Sequence, residues 1–308
     1  MILILSNPAD VHARHVASLL HRRGHDNVTI SKADFGNGAS VTFRPEARSG
    51  VIALGDGTHL MPQDVSTVWH RRPGRIQIDP GTGDERDRAF MESEWTTALD
   101  AFLSAPFRRH VSPPANQRAA TKPVQLACAA QAGLRVPRTL ITSDPARAAG
   151  FVAEHRGAIV HKAMTAPSHR FLETRGWDSL ADSRLADLSY CPTIVQERIV
   201  GPGDIRATVV GRAIFAARIE TSLGRAGVDS RLDQDAPCAA YELPPDILTA
   251  SLRLMESLGL VFATIDFKLA DNGEHVFLEL NPQGQFLYIE IQTGLPISEA
   301  LAEFLADG

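Results

Sequence analysis

The stretch Phe262–Gln285, FATIDFKLADNGEHVFLELNPQGQ, holds two short apolar runs with one acid set in each, Asp266 in the first and Glu279 in the second. Asp271-Asn272-Gly273-Glu274 separates them. Asn-Gly between two such runs is the strongest short-range hairpin signal, so the stretch predicts two adjacent antiparallel strands. Side chains two residues apart leave a strand on one face. Glu279 and Asn281 therefore share a face, and Asp266 can reach it from across the hairpin. Two carboxylates and an amide oxygen then converge at one end of a sheet. Hard oxygen donors of this kind suit Mg²⁺, which takes one or two carboxylates and leaves room for water and phosphate oxygens. The plainer reading is a solvated hairpin with scattered acids. Against it, Ile265, Phe267, Leu278 and Leu280 flank the acids, and an acid among apolar residues needs a partner.

The 308 residues suffice for a full core and for two or three domains. A net charge of −5 gives no electrostatic case for nucleic acid or an anionic membrane as the main partner. Cys128, Cys191 and Cys238 follow no metal or redox spacing and read as free thiols of a reducing cytoplasm. The N-terminal MILIL is too short for a signal peptide's apolar segment, and Asn7-Pro8 ends it. No apolar run is long enough to span a bilayer. A soluble cytoplasmic protein is expected.

Residues 1–112 read as an α/β domain. Met1–Ser6 is a buried strand, Asp10 starts a helix that runs to about Arg23, and Gly24 fits its end. Short strands follow at Val28–Ile30, Val41–Phe43, Gly50–Leu54, His59–Leu60 and Val65–Trp69, and then a long helical pattern over Glu85–Leu103. His70-Arg71-Arg72-Pro73-Gly74 is a basic segment at a strand's C-terminal end, where open α/β sheets bind ligands. Arg71 and Arg72 are candidate contacts to a carboxylate, with a plain solvated loop as the equal alternative. Ser112–Asn116 is the linker. Beyond it come a helix over Asn116–Ala132 closed by Gly133, a strand at Val136–Ile141, a helix capped by Asp144-Pro145, and a strand ending in Lys162. A lysine at the end of a buried strand is costly unless it meets an anion. Residues 163–190 lose periodicity. A hairpin about Gly211 and a helix over Pro245–Leu258 precede the opening stretch, and a helix over Ile297–Ala306 closes the chain.

From Asn116 onward the chain resembles an ATP-grasp ligase. It carries in order the helix-starting Lys122, the AIVHK lysine Lys162, QERI at Gln196–Ile199, DIR at Asp204–Arg206, DSR at Asp229–Arg231, IDF with Asp266, and ELNPQGQF at Glu279–Phe286. More narrowly it resembles the ribosomal-peptide maturases of the microviridin or graspetide type. VWHRRP (Val68–Pro73), the stretch Gln125–Pro145, VDSR and the ending Leu280–Ile297 carry that likeness.

The resemblance implies an N-terminal α/β, pre-ATP-grasp-like domain (1–112), a central domain with the first ATP-grasp subdomain (113–195) and a C-terminal ATP-grasp subdomain (196–308). It makes Asp266, Glu279 and Asn281 the ligands of two Mg²⁺ ions bridged by Glu279, with Mn²⁺ a conceivable substitute. It puts Lys122 and Lys162 on ATP phosphates. Gln196, Glu197, Arg198 and Ile199 line the adenine, with Glu197 on the amino group, and Asp204 meets the ribose. Arg206 and Arg231 become the catalytic arginines near the γ-phosphate and the activated carboxylate, and Arg218, where this subgroup often lacks a basic residue, is a third catalytic candidate. Thr264 stands where amino-acid ligases of the superfamily often have an arginine, so Arg206 or Arg231 has to supply that charge.

The implied chemistry is attack of a carboxylate on the γ-phosphoryl of ATP, then displacement of phosphate from the acyl phosphate by a hydroxyl or amine. Such a step needs charge neutralisation and alignment more than a protein base. An acyl phosphate must be kept from water, and residues 163–176 are the candidate cover. The implied substrate is a ribosomal precursor peptide with a leader and an acidic core, cyclised by ester or amide links. A RimK-like or small-molecule carboxylate–amine ligase and a non-catalytic nucleotide-binding scaffold stay open, as does a homodimer.

Overall fold

The computed structural model describes residues 1–36, 38–104, 107–165, 173–178, 182–220 and 236–307. They fall into two compact units. Met1–Pro114, Gln285–Leu287 and Pro296–Gly308 make the first; Ala115–Gly284 and Tyr288–Leu295 make the second. Among the described residues no helix is long and apolar enough to cross a membrane.

The first unit opens with β1 (Ile2–Ser6), buried along its whole length. An unbroken apolar run of this kind belongs inside a parallel sheet covered on both faces. Helix α1 (Val11–Arg22) follows, with the Asp10 carboxylate accepting from the N–H groups of His12 and Ala13 at its N-terminus. Gly24, at φ +80°, supplies the left-handed residue that lets the chain leave the helix. Next come β2 (Asn27–Ile30), the small antiparallel sheet of β3 (Ser40–Arg44), β4 (Ser49–Ala53) and β5 (His59–Leu60), then β6 (Thr67–Arg72). Helix α2 (Glu85–Leu103) starts from an Asp84–Asp87 capping box and leads to β7 (Arg109–Val111). The parallel sheet has the order β2-β1-β6-β7. Leu3, Leu5, Ile30, Val68, Phe102 and Phe107 are among its core.

The second unit carries α3 (Pro114–Ala119) and α4 (Lys122–Ala132), which ends at left-handed Gly133. Then follow β8 (Thr139–Thr142), α5 (Pro145–Glu154), β9 (Ile159–Lys162), the two-residue β10 (Arg175–Gly176) and β11 (Thr193–Glu197). These four strands form a sheet in the order β10-β9-β11-β8. A second, five-stranded antiparallel sheet is built from β12 (Gly203–Val210), β13 (Ala213–Glu220), β14 (Cys238–Tyr241), β15 (Phe262–Leu269) and β16 (His275–Asn281), in the order β14-β13-β12-β15-β16. Between β14 and β15 lies α6 (Pro245–Ser257). One face of this sheet is apolar. Ile205, Ala207, Val209, Ile265, Phe267 and Phe277 pack there with Leu126 and Ala129 of α4 and Leu254 and Met255 of α6. Alternation along the strands sends the polar residues to the other face.

After Asn281 comes α7 (Leu287–Thr293); α8 (Ile297–Ala306) then returns the chain to the first unit. Glu299 and Glu303 of α8 pair with Arg23, the latter at 3.2 Å. Arg109 donates to the Phe304 carbonyl at 2.6 Å, with its guanidinium 3.7 Å above the Phe304 ring. His12 Nδ1 lies 3.4 Å from the Phe286 N–H, and the two rings meet edge to face.

Candidate active site

The polar face of the five-stranded sheet is set by register. Arg206 stands opposite Asp266, and Asp266 opposite Glu279. One rung along, Thr208, Thr264 and Asn281 are aligned. A register shift between Asp266 and Phe267 marks a bulge in the hairpin; bulges of this kind re-aim side chains beside functional sites. The turn has the predicted form: Gly273, at φ +83°, donates to the Ala270 carbonyl at 2.8 Å. The three oxygen-bearing residues read from the sequence therefore do share a face.

Each carboxylate has a cation beside it. Arg206 Nη1 is 3.1 Å from Asp266 Oδ1 and 3.4 Å from Oδ2, while Nη2 donates to Thr264 Oγ1 at 3.1 Å. Lys122 Nζ is 3.5 Å from Glu279 Oε2 and donates at 3.2 Å to the carbonyl of Ala163, the residue after Lys162. Lys122 thus joins the metal side of the site to the end of β9, where Lys162 is buried opposite Ile194. The backbone between Glu279 and Asn281 is held from α4. Gln125 Nε2 donates to the Leu280 carbonyl at 2.8 Å, and its Oε1 accepts from the Leu280 N–H at 2.9 Å. Asn281 Oδ1 accepts from the Gln283 N–H at 2.9 Å. Gly284 packs so tightly on Thr264 that a Cβ there would collide with the threonine side chain.

On the other sheet, Gln196 is buried and donates to Thr139 Oγ1 at 2.8 Å. The Glu197 carboxylate accepts from the Arg138 N–H at 3.1 Å and lies 3.8 Å from the Arg135 guanidinium. The Arg198 N–H is donated to Ala158 at 2.9 Å.

The other sequence candidates have the following settings. Asp204 is buried, its carboxylate 2.8 Å from the ammonium of Lys268, its neighbour across β12 and β15. Arg218 pairs with Ile205 and therefore lies on the apolar face, opposite to Arg206. Arg71 is 0% exposed, with its Nε 3.1 Å from Asp10 Oδ2, which makes it a member of an internal ion pair. Arg72 ends β6 half-buried, its carbonyl accepting from the Asn7 N–H. Arg231, with the rest of Asp229–Arg231, and residues 166–172 of the expected cover lie outside the described residues.

The sequence reading also missed participants. Lys268 sits two residues after Asp266 and so on the same face, a spacing that was there to be read. Tyr288 of α7 has its ring 5.9 Å from the Arg206 guanidinium. Burial raises its phenol to about 12; Arg206 pulls it down, and Asp266, Cys238 and Asp204 add to the rise. Nothing local in the sequence brings Tyr288 to that ladder.

The donor set fits a hard divalent cation bound together with phosphates. Among the described residues no group of three or more His, Cys, Asp or Glu is gathered that could hold a metal alone. Two carboxylates and one amide oxygen leave positions for phosphate oxygens, which is the Mg²⁺ pattern of nucleotide sites.

No family model matches the chain, and no curated protein is similar to it. Solved structures are. The macrocyclase MdnC of Microcystis aeruginosa, bound with the precursor peptide MdnA, is 26% identical at a TM-score of 0.87, over 100% of this chain and 99% of that one. A ribosomal-peptide-associated ATP-grasp ligase of Chryseobacterium gregarium, in complex with ADP and a leader and core peptide, is 25% identical at 0.88, over 99% and 96%. A RimK domain ATP-grasp protein of Sphaerobacter thermophilus is more distant, 17% identical at 0.62, over 98% of each chain. The chain has the ATP-grasp fold from end to end, and its likeness is to the peptide-maturing branch.

Proposed function

We propose that the chain is an ATP-dependent ligase that closes rings in a ribosomally made precursor peptide, joining Asp or Glu side chains to Ser/Thr hydroxyls or a Lys amine. The observation that carries this is the shared face of Asp266, Glu279, Asn281 and Arg206, tied through Lys122 to the end of β9. Full-length likeness to macrocyclases supports the peptide as substrate.

Asp266, Glu279 and Asn281 would hold Mg²⁺, two ions if Glu279 bridges them. Bound there, it would supply positive charge beside the triphosphate. Lys162 and Lys122 orient the phosphates, and Arg198 and Ile199 meet the adenine through the backbone. A substrate carboxylate oxygen bonds to the γ-phosphorus as the bond to the β–γ bridging oxygen breaks, giving acyl phosphate and ADP. Arg206 supplies positive charge where this mixed anhydride forms, in the place left by Thr264. The peptide's hydroxyl or amine then adds to the acyl carbon, loses its proton and expels phosphate. A reducing cytoplasm is the proposed compartment; Cys128, Cys191 and Cys238 are free thiols there.

The test is incubation of a candidate precursor peptide with the protein, Mg²⁺ and ATP. Loss of one water per ring from the peptide mass is expected. A gain matching an added amino acid would instead establish the RimK-like ligase. If the wild-type chain and Glu279→Gln both bind ATP and neither releases ADP with any carboxylate partner, the scaffold reading stands.

A further inference from the structure

We infer that a groove in the first unit, between α1 and the open edge of β2, docks an extended, acidic stretch of the precursor peptide. The inference rests on the ligase reading and gives the first unit a part in it. Helix α1 is buried through His12, Ala13, Val16, Leu19 and Leu20. Residues three and four apart share a helix face, so Val11, Arg14, His15, Ser18 and Arg22 form one exposed stripe down the other side. Val28 and Ile30 of β2 pack into the core on the side of α2, which leaves Thr29 exposed on the side of α1. Between stripe and strand lies an open groove of about 710 Å³, lined by Pro8, Val11, Arg14, His15, Ser18 and Thr29.

The charge along this groove has one sign. Residues 11–25 hold three arginines, four histidines and no acid, in a chain whose net charge is −5. Arg23 is engaged by Glu299 and Glu303 of α8, and Asp10, just before the helix, by Arg71. Among the described residues the side chains of Arg14 and His15 have no hydrogen-bond or ion-pair partner, and Arg22 donates only to Ser18 Oγ, at 2.9 Å. Arg14 also lies at the end of the first turn, where the helix dipole disfavours a cation and where α1 carries no acid. Nothing within the fold rewards that placement; an incoming carboxylate does. The strand supplies the second half of the site. β2 is the edge of its sheet, with β1 on one side only. An open edge offers main-chain groups to an extended segment, and the side chains beside it decide which segment is accepted. The occupant that meets both demands is an extended chain with carboxylates at alternate positions. A nucleic acid meets only the demand for charge, and the negative protein opposes a long polyanion. A peptide whose Asp and Glu side chains are to be activated has the required character.

The test uses the full chain and three fluorescein-labelled probes: a short peptide of alternating Thr and Glu, its neutral Thr-Gln counterpart, and a short oligothymidine. Binding is read by fluorescence anisotropy. Wild type should hold the Thr-Glu peptide about tenfold more tightly than the Thr-Gln peptide, and the double variant Arg14→Glu, Arg22→Glu should erase that preference. Added salt should weaken wild type and leave the double variant almost unchanged. Arg14→Gln, a milder change on the same exposed face, should lose about threefold. With the precursor as substrate, the double variant should raise KM about tenfold at unchanged kcat, on protein that unfolds at the wild-type temperature.

A double variant that still prefers the Thr-Glu peptide, or a wild type without that preference, overturns the inference. So does an oligothymidine bound as well as the Thr-Glu peptide, which would make the groove a general polyanion surface, and so does an unchanged KM for the precursor. In each of these the ligase reading survives, provided wild type still removes water from the precursor. If wild type leaves the precursor mass unchanged, the ligase reading fails, and the precursor is lost as the occupant of the groove whatever the probes show.

Discussion

The carboxamide of Gln125 pairs with the backbone of Leu280 through two hydrogen bonds, one in each direction, at 2.8 and 2.9 Å. Leu280 lies between Glu279 and Asn281, so α4 fixes the strand at the point from which two of the three proposed oxygen ligands leave. The same amide nitrogen donates to the Ala120 carbonyl at 2.7 Å, and all of this is buried. Gln125→Leu keeps much of the volume and strands the polar groups of Leu280 and Ala120. A loss of about 2–4 kcal/mol is expected, read as a lower urea midpoint at unchanged slope. A loss below about 0.5 kcal/mol, the level of an ordinary surface change, would mean that no such clamp exists.

Of the proposed metal ligands, Glu279 is the one most open to a clean test, because its neutral analogue has the same shape. Glu279→Gln should fold normally and lower ADP release by about 100-fold or more, the usual scale for losing a key electrostatic contact to a transition state. Thermal unfolding and steady-state ADP release, measured on one preparation, check both halves. Near-normal turnover would remove Glu279 from the metal set.

Arg71 leads to a different kind of experiment. Its partner Asp10 is 6% exposed and also caps α1. Burial by itself would raise the Asp10 carboxyl, but Arg71 and the N–H groups of Ala13 and His12 outweigh it and hold it below the usual carboxylate range. Removing one partner of such a pair leaves a buried charge uncompensated. Arg71→Met should therefore cost about 3–5 kcal/mol of stability. Peptide processing should fall only as far as folded protein is lost. A stable variant with a specific defect in peptide binding would instead put Arg71 in the substrate site. The sign of the pH effect follows from the lowered carboxyl: the pair's contribution is full above the ordinary carboxylate range and is lost as pH falls through the depressed value.

Tyr288 predicts an effect at the alkaline end. Its phenol is pushed up to about 12 from 10.0. A tyrosine that keeps its proton longer in the folded chain withdraws stability as pH rises between those two values, and costs nothing below them. The expected decline is roughly 2–3 kcal/mol across that window, and Tyr288→Phe should flatten it. Urea unfolding at stepped alkaline pH distinguishes the two proteins; superimposed profiles would sink the claim.

Much of this site could be read from the chain because local chemistry fixes it. Asn272-Gly273 dictated the hairpin, and the period of two then put Glu279 and Asn281 on one face. Asp10 and Gly24 marked the ends of α1 for equally local reasons. The face that Arg218 occupies was also within reach. The two-residue turn Gly211-Arg212 pairs Val210 with Ala213, so even-numbered residues of β12 share a face with odd-numbered residues of β13. Arg71 was beyond reach in a stricter sense. Its strand is buried almost throughout, TVWHRR, and its anion arrives from the loop before α1. No periodicity within residues 67–74 carries that information. Tyr288 and Gln125 are of the same kind: each acts through a strand that sequence order leaves remote.

The first unit begins at β1 and is completed only by α8, whose Glu299, Glu303 and Phe304 engage Arg23 and Arg109. On the ribosome the part made first is thus the part closed last. At about 5–20 residues per second, its parallel sheet waits roughly 10–40 seconds for that helix to be made. Through that interval the flank of α1 that α8 will cover stands open, and the nascent chain depends on whatever shields such surfaces until that helix arrives.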